Sequence, residues 1–501
     1  MEPRNAPSFL KSARKAATME QKAGVRISAK AFIQSLVILF AFMLVTGVLT
    51  QIIPAGSYAK TILAGRQVID PQSFQTVARP NYPIWRWFTA PVEVLWGPDG
   101  ITIITIIVFL LMVGGSFAVL DQSGILKAAI GRLVHAFGGR KYGLLLVITF
   151  FFMLLGAFFG IFEEVVPLVP VMLALAYYLG WDSLVGLGMS ILATNVGFSA
   201  AITNPFTIGV AQKLAGLPLF SGAWLRIPIF IALYAVLAIF LVSYARKIDR
   251  NPHSSAVFDQ DRTERDKYKA IQVESLSEAN PRLGMATGWF LAFLALILLV
   301  LIASPLLPAI SDYALPIVGV LFLIGGIGAG LLTGTSGKAT WKAVVEGISG
   351  IAPSIPLILM AASIKYIVAQ GGIMDTLLHS ASFAFSQASP FVAALMVYLL
   401  ALLIEFFIAS GSAKAFLLMP ILLPLADLVG VTRQVTVTAY CFGDGFSNLA
   451  YPTNPVLLIC LGLTVVSYPT WLRWTLKLWL GVLVITVAFL ALGVAIRFGP
   501  F

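Results

Sequence analysis

The chain has 501 residues, of which 59% are hydrophobic and only 11% are charged. So little charge cannot cover the surface of a soluble protein, and several apolar runs exceed the ~20 residues that a membrane-spanning helix needs, so we expect a polytopic membrane protein. The net charge of +11 does not indicate nucleic acid as a partner. The basic residues cluster beside predicted membrane helices, as the positive-inside rule predicts.

The first quarter of the chain is predicted to be a basic tail followed by two spans. Residues 1–30 carry basic side chains and no cleavage site behind a short apolar core, so we expect a cytoplasmic tail rather than a signal peptide. Residues 31–53 are predicted to cross outward, 54–100 to form an outer loop with interfacial aromatic residues, and 101–120 to return. Residues 121–141 mix basic and apolar side chains, which favours a helix on the inner interface.

The segment 142–180 is too long for one span and too short for two spans with an ordinary loop. We expect a re-entrant hairpin that enters from the cytoplasm, with its tip at Gly160–Glu164. Such backbone is tolerated at membrane depth only where protein covers it. Two short full spans are the alternative.

Beyond this hairpin, a charged linker at 247–285 is predicted to join two transmembrane halves, 31–246 and 286–501, on the cytoplasmic side. The predicted elements after the hairpin are, in order, a broken outward span at 184–218, an inward span at 225–246, spans at 286–308, 314–333 and 351–371, an outer interfacial helix at 372–387, a second hairpin at 388–430 with its tip at Ser410–Lys414, a broken inward span at 433–466 and a last span at 472–496. This gives nine crossing helices, two of them broken, and two hairpins.

The two halves carry matching landmarks, which indicate an internal duplication. The matches are Thr203-Asn204-Pro205 with Thr453-Asn454-Pro455, Pro170 with Pro420 and Gly180 with Gly430 at one constant offset, and Trp224-Leu225-Arg226 with Trp471-Leu472-Arg473 after a small slip. The halves are predicted to enter the membrane from opposite sides, so the repeats are inverted. Proline must break each helix, and paired broken helices with polar residues are typical of a transporter's midplane site.

Several stretches resemble one known family. They are Leu428–Val437 (Leu-Val-Gly-Val-Thr-Arg-Gln-Val-Thr-Val), Phe442–Ser447 (Phe-Gly-Asp-Gly-Phe-Ser), Tyr451-Pro452-Thr453 and the tips at Gly160–Glu164 and Ser410–Ser412. Together they closely resemble the YfcC family, which belongs with the DcuC-type C4-dicarboxylate carriers in the ion transporter superfamily. Arginine/ornithine antiporters also look like it. The resemblance implies an all-α secondary transporter of small charged metabolites with an elevator-like moving domain.

Polar residues at the two helix breaks are candidate ligands for substrate or ion. They are Asn195, Ser199, Thr203 and Asn204 in the first half, and Ser447, Asn448, Thr453 and Asn454 in the second. Their oxygens and the carbonyls freed at the breaks suit Na⁺, and the amides at half-helix N-termini suit a carboxylate. The alternative is that they only cap the broken ends. We favour a transport role, because polar groups inside a membrane are costly and usually face a cavity.

Charged residues at the tips and in the second broken helix are the sharper candidates. Glu163, Glu164 and Asp444 could bind a proton, a sodium ion or the cationic end of an amino acid, because adjacent carboxylates cannot both be ionised cheaply in a low dielectric. The alternative is a structural role, with a tip carboxylate bonded to backbone amides.

The second tip carries Ser410, Ser412 and Lys414, and Lys414 occupies the position that matches Glu164. Its ammonium could neutralise Glu164 or Asp444, or replace a bound cation. Glu405 is expected to pair with a basic residue that the sequence does not name.

We therefore expect a secondary active transporter, and favour exchange of a basic amino acid over Na⁺- or H⁺-coupled carriage of a C4-dicarboxylate. A channel or an enzyme is disfavoured, because the chain shows no pore ring, nucleophile constellation or His-Glu-x-x-His metal motif. Cys441 and Cys460 are interpreted as packing residues rather than a disulfide. The expected setting is the cytoplasmic membrane, with the N-terminus inside, lipid around the chain, no cofactor besides Na⁺ or H⁺ and, by analogy, a homodimer.

Overall fold

A computed structural model describes residues 29–63, 66–70, 72–269, 280–303, 313–383, 385 and 388–499. Nearly all of the predicted basic tail and residues 270–279 of the predicted linker lie outside this part. Helices dominate the described residues, and four short strands occur among them. The predicted all-α class is confirmed.

The first half consists mainly of helices of very different lengths. Its elements are α1 (Ala29–Ile52), β1 (Gly56–Ser57), β2 (Lys60–Leu63), β3 (Arg66–Ile69), β4 (Gln75–Thr76), α2 (Trp85–Glu93), α3 (Gly100–Gln122), α4 (Ile125–Ala136), α5 (Lys141–Leu154) with a π-helical turn (Leu155–Phe159), a 3₁₀ segment (Glu163–Leu168), α6 (Val169–Tyr178), α7 (Ser183–Leu187) with a π-helical turn (Gly188–Leu192), α8 (Ala193–Ala200), a π-helical turn (Pro205–Gly209), α9 (Val210–Leu214) and α10 (Ala223–Arg250).

The second half follows a short linker helix. Its elements are α11 (Arg262–Lys269) in the linker, then α12 (Leu283–Ala303), α13 (Ala314–Leu332), α14 (Gly337–Ile351), α15 (Ser354–Gln370), α16 (Met374–Phe383), α17 (Pro390–Glu405), α18 (Gly411–Leu428), α19 (Arg433–Ser447), α20 (Pro455–Gly462) and α21 (Tyr468–Ala495).

Both predicted helix breaks are present, because α8 ends before Asn204 and α19 ends before Asn454. By length and composition, nine helices among the described residues could cross a membrane, and α14 with α15 could form a tenth, bent by 41°. These nine are not the nine that the sequence predicted. They include Lys141–Phe159 and Gly411–Leu428, each an arm of a predicted hairpin. How deeply each hairpin enters the membrane therefore stays a prediction.

The segment that was predicted to form an outer loop contains short strands. Strands β2 and β3 form a hairpin, and β1 pairs with β4. Among its aromatic residues, Tyr82 and Trp87 are buried, whereas Trp85 and Phe88 are more than half exposed. Lys365 forms an ion pair with Asp99 at 2.6 Å.

The two broken helices form the centre of the bundle. Every residue from 181 to 202 is buried, and so is every residue from 434 to 449. Neither segment has a face left for lipid. Their polar side chains are thus packed against protein, which is the condition under which broken backbone is tolerated at membrane depth.

Glycines allow these central helices to approach at backbone distance. A Cβ added at Gly197 would lie 1.9 Å from the carbonyl oxygen of Met153, and one at Gly156 would lie 2.1 Å from that of Thr194. A Cβ at Gly445 would meet the Oγ atom of Ser199 at 2.3 Å. Small residues at helix crossings replace the hydrophobic driving force that lipid removes.

We expect Gly197→Ala to destabilise the protein strongly, because the new methyl group meets backbone that cannot rotate away. Overpacking typically costs about 1–3 kcal/mol, and more when the obstacle is main chain. The measurement is the thermal unfolding midpoint of the purified protein in detergent. Gly143→Ala in α5 is the matched control, since its Cβ would meet only the Cβ of Arg140 at 3.7 Å. An equal loss of stability in both variants would contradict the conclusion that Gly197 lies at a close contact between helix backbones.

The start of the linker is fixed to the end of α6 by one carboxylate. Asp261 accepts hydrogen bonds from the hydroxyl of Tyr177 at 2.9 Å and from the amide of Ser183 at 2.7 Å. Burial raises the pKa of Asp261 from its ordinary 3.8 to about 6, and the charge of the neighbouring Asp182 adds to the effect. Asp261 therefore binds its proton more tightly when the linker is docked than when the linker is detached.

This shift predicts that docking weakens as the pH rises from about 4 through about 6, because the detached state loses its proton first. We expect the protection of α11 against hydrogen exchange, corrected for the intrinsic rate, to fall across that interval. Asp261→Asn stays neutral and should give a flatter profile than the wild type, with the remaining slope due to Asp182, whose pKa burial also raises and which accepts a hydrogen bond from Ser255 of the linker. A wild-type profile as flat as that of the variant would refute the effect.

Candidate functional site

An asparagine caps the half-helix that follows each break. The Oδ1 atom of Asn204 accepts hydrogen bonds from the amides of Phe206 at 2.9 Å and Thr207 at 3.3 Å. The Oδ1 atom of Asn454 accepts from Val456 at 2.9 Å and Leu457 at 3.4 Å. The two Asn-Pro pairs therefore have the same structural role. The proline ends the preceding hydrogen-bond ladder, and the asparagine side chain accepts from the first free amides of the next half-helix.

These caps correct one expectation. The sequence offered the amides at the half-helix N-termini as ligands for a carboxylate. The first two amides after each asparagine are already bonded to its side chain. Asn204 and Asn454 therefore act as helix caps in this structure, which is the alternative role given for the break residues above.

The other break residues differ in how well they are satisfied. Ser199 and Ser447 donate to carbonyls one turn back in their own helices, at 2.9 and 2.6 Å. Thr203 donates to the carbonyl of Phe158 at 3.0 Å, and Asn448 donates within its own turn and accepts from Asn454 at 3.0 Å.

Two of the candidates are buried without satisfied side chains. Neither the amide oxygen nor the amide nitrogen of Asn195 has a hydrogen-bond partner among the described residues, and the hydroxyl of Thr453 also lacks one. Buried polar atoms are nearly always paired, so these are the break residues that a ligand or ion would complete.

The first tip packs directly on the first break. Gly160 adopts a left-handed conformation at φ 67°, and a Cβ there would lie 2.2 Å from the Oδ1 atom of Asn204. Glu163 is exposed and Glu164 half-buried. The carboxylate of Glu164 accepts from the amide of Phe162 at 3.3 Å, which is the structural role that was left open for a tip carboxylate. Glu163 is the more exposed of the two carboxylates.

The second tip holds a buried ionic triad. The Nζ atom of Lys414 lies 2.8 Å from Oδ1 of Asp444 and also contacts Oε2 of Glu405. All three side chains are at most 1% exposed. Among the described residues, Lys414 pairs with Asp444 and Glu405 rather than with Glu164, and Glu405 finds the basic partner that the sequence could not name.

Contacts around Gly411 fix the position of this triad. A Cβ at Gly411 would lie 2.8 Å from Thr207 and 2.9 Å from Asp444. The hydroxyl of Tyr440 donates to the carbonyl of Gly411. Beside it, Ser410 caps α18 through the amide of Ala413 at 3.4 Å, and Ser412 is half-buried. The second tip therefore lies between the half-helix after the first break and the middle of α19.

The side chains that donate hydrogen bonds to the carbonyls before each break were not predicted from the sequence. The guanidinium of Arg226, 1% exposed, donates to the carbonyl of Ile202 at 3.1 and 3.2 Å. In the second half, the indole N–H of Trp471 donates to the carbonyl of Leu449 at 2.8 Å. A cation at the start of an apolar span was a usable signal for Arg226. The sequence marked Trp471 only as a repeat landmark, not as a hydrogen-bond donor.

Comparisons place the chain among transporters. Residues 32–495 match the family DcuC, described as "C4-dicarboxylate anaerobic carrier". YfcC of Escherichia coli (strain K12), which carries the provisional name of basic amino acid antiporter, is 30% identical over 474 residues, covering 88% of this chain and 92% of YfcC. An uncharacterized protein of Haemophilus influenzae is 25% identical over 378 residues, covering 75% of this chain and 72% of its own.

Two solved structures are also similar. The YdaH transporter of Alcanivorax borkumensis gives a TM-score of 0.43 at 20% identity, with coverage of 93% of this chain and 99% of its own. MtrF of Neisseria gonorrhoeae, described among antimetabolite efflux pumps, gives 0.40 at 16%, with coverage of 96% and 97%.

The family match spans nearly the whole chain, and its members are carriers rather than enzymes. The chain is a multi-pass membrane transporter and belongs to the DcuC family of C4-dicarboxylate anaerobic carriers.

Proposed function

We propose that this transporter exchanges cationic amino acids, of the arginine and ornithine type, across the cytoplasmic membrane. The observation that carries the proposal is an excess of negative charge at both tips. The triad sets two carboxylates, Glu405 and Asp444, against the one ammonium of Lys414. At the first tip, neither Glu163 nor Glu164 forms an ion pair among the described residues. A positively charged substrate would offset the excess negative charge at both tips.

The basic amino acid assignment of the relative YfcC supports the same choice. A C4-dicarboxylate carrier is the second candidate, and the family's description favours it. Two observations disfavour a dicarboxylate as the substrate. Lys414 already faces two carboxylates, and the asparagine caps occupy the leading half-helix amides. An anion entering here would meet few free donors.

A coupling cation, Na⁺ or H⁺, is a separate part of the proposal. The unpartnered oxygens of Asn195 and Thr453 are hard ligands of the kind Na⁺ takes. We further propose that the inverted halves alternate access to this centre by an elevator-like movement.

Counterflow in proteoliposomes tests the substrate. Vesicles loaded with ornithine are expected to accumulate labelled arginine, whereas succinate-loaded vesicles are not expected to accumulate labelled succinate, with or without a sodium gradient. Succinate uptake that requires a cation gradient, with no arginine entry, would overturn the proposal in favour of a carboxylate carrier.

Within the same assay, Glu163→Gln is expected to raise the KM for arginine roughly tenfold or more, the effect of losing one charge-assisted contact. Glu346→Gln is the matched control, because this carboxylate lies on the surface beside Lys342 and Gln122. An unchanged KM would remove Glu163 from the site while leaving the exchange itself intact.

The triad predicts that removing its cation destabilises the protein more than removing one of its carboxylates. Lys414→Gln leaves two buried carboxylates without their cation, a change expected to cost about 3–5 kcal/mol. Asp444→Asn leaves Lys414 and Glu405 as a one-to-one pair and is expected to cost much less, although it should abolish arginine exchange. Thermal unfolding midpoints in detergent compare the two, and equal losses would contradict the charge balance.

If Lys414 stands where a cation would otherwise bind, sodium should replace it. Sodium chloride, compared with choline chloride at equal ionic strength, is then expected to raise the unfolding midpoint of Lys414→Gln and to make its transport sodium-dependent. The wild type should respond much less. Uptake by the variant that stays constant across a sodium titration would rule this role out.

A further inference from the structure

A cavity of about 520 Å³ lies between the C-terminal part of α10 and the N-terminal part of α21. The linker residues Ser254 and Ala256 close one side of it. These two long helices belong to different halves of the chain, and they pack against each other. An occupant of the cavity would therefore contact both halves.

The charge of the cavity is one-sided. Its walls include Lys247, Arg473 and Lys477, and no aspartate or glutamate. All three cations are exposed, and none forms an ion pair within the described residues. Three cations without a counter-charge are favourable only where an anion joins them or water screens them.

A second, independent observation points to an acceptor ligand. Trp474 lines the cavity and is only 9% exposed, yet its indole N–H has no acceptor among the described residues. Its ring packs against Phe240 and Tyr244, at centroid distances of 4.8 and 5.4 Å. A buried N–H donor of this kind is normally paired. An oxygen-rich anion would supply what both the indole and the cations lack.

The surroundings distinguish a lipid from a free anion. The outer walls next to the cavity carry apolar side chains that are largely exposed, including Ile239 at 67% and Leu476 at 52%. In a membrane these side chains face acyl chains. A ligand with a phosphate at one end and hydrocarbon at the other would fit both environments, as in basic pockets between membrane helices.

We propose that this cavity binds the phosphate of an anionic phospholipid, which ties α10 to α21. Arg473, Lys247 and Lys477 would hold the phosphate oxygens, and the indole N–H of Trp474 would donate to one of them. The site is independent of the substrate that the transporter carries, so it stands or falls separately from the exchange proposed above.

The test uses the full-length protein in detergent, titrated with phosphatidylglycerol or with phosphatidylcholine and followed by native mass spectrometry. Phosphatidylglycerol is expected to bind at least tenfold more tightly. Arg473→Gln with Lys477→Gln should remove this preference, whereas the charge-matched control, Lys213→Gln with Lys338→Gln, should retain it. Equal loss in both double variants would mean a diffuse charge effect and would overturn the site.

Two further arms complete the test. Trp474→Phe keeps the ring and removes the donor, and it should weaken phosphatidylglycerol binding severalfold without changing the unfolding midpoint of the lipid-free protein. Inorganic phosphate at millimolar concentration is expected not to displace the lipid. Displacement by phosphate, or wild-type affinity in Trp474→Phe, would overturn the proposal.

Discussion

Backbone that leaves the helical ladder inside a membrane must find its hydrogen-bond partners within the protein. The two breaks of this chain meet that constraint on both sides. Asparagine side chains accept from the amides after each break, and Arg226 or Trp471 donates to the carbonyls before it. The full burial of the central helices follows from the same requirement, since lipid offers neither donors nor acceptors.

The same packing concentrates charge. The glycine crossings bring α8, α19 and the first hairpin to backbone distance, and the second tip inserts Lys414 beside Asp444 and Glu405. A buried triad with an uneven count is a poor source of stability, since each ion loses its hydration. Under the exchange proposed above, its value would lie in selecting what else can enter, because the remaining negative charge favours a positive partner over a neutral or negative one.

The sequence predicted the parts of this arrangement that depend on local chemistry. Proline and asparagine placed both breaks, and glycine placed the first tip. Contacts between separate elements were predicted only in part: Lys414 was expected to face Glu164 or Asp444, and it pairs with Asp444, whereas its contact with Glu405 was not predicted. Glu405 and Lys414 lie on different arms of one hairpin, and their meeting depends on how far the tip turns. The bonding of the leading half-helix amides could not be predicted either, because an asparagine one residue before a proline can either face a ligand or fold back onto its own helix.

The two Trp-Leu-Arg tripeptides that the sequence matches differ in their register from the Asn-Pro pairs. The Asn-Pro pairs are separated by 455 − 205 = 250 residues, whereas the arginines are separated by 473 − 226 = 247. A slip of three residues shifts a helix by about 4.5 Å and turns it by about 60°. In the first half the arginine is buried against the break and Trp224 is 59% exposed; in the second, Trp471 is buried and Arg473 reaches the surface cavity. The same tripeptide therefore serves opposite ends: the arginine supports the first break, whereas the tryptophan supports the second and leaves its arginine at the surface.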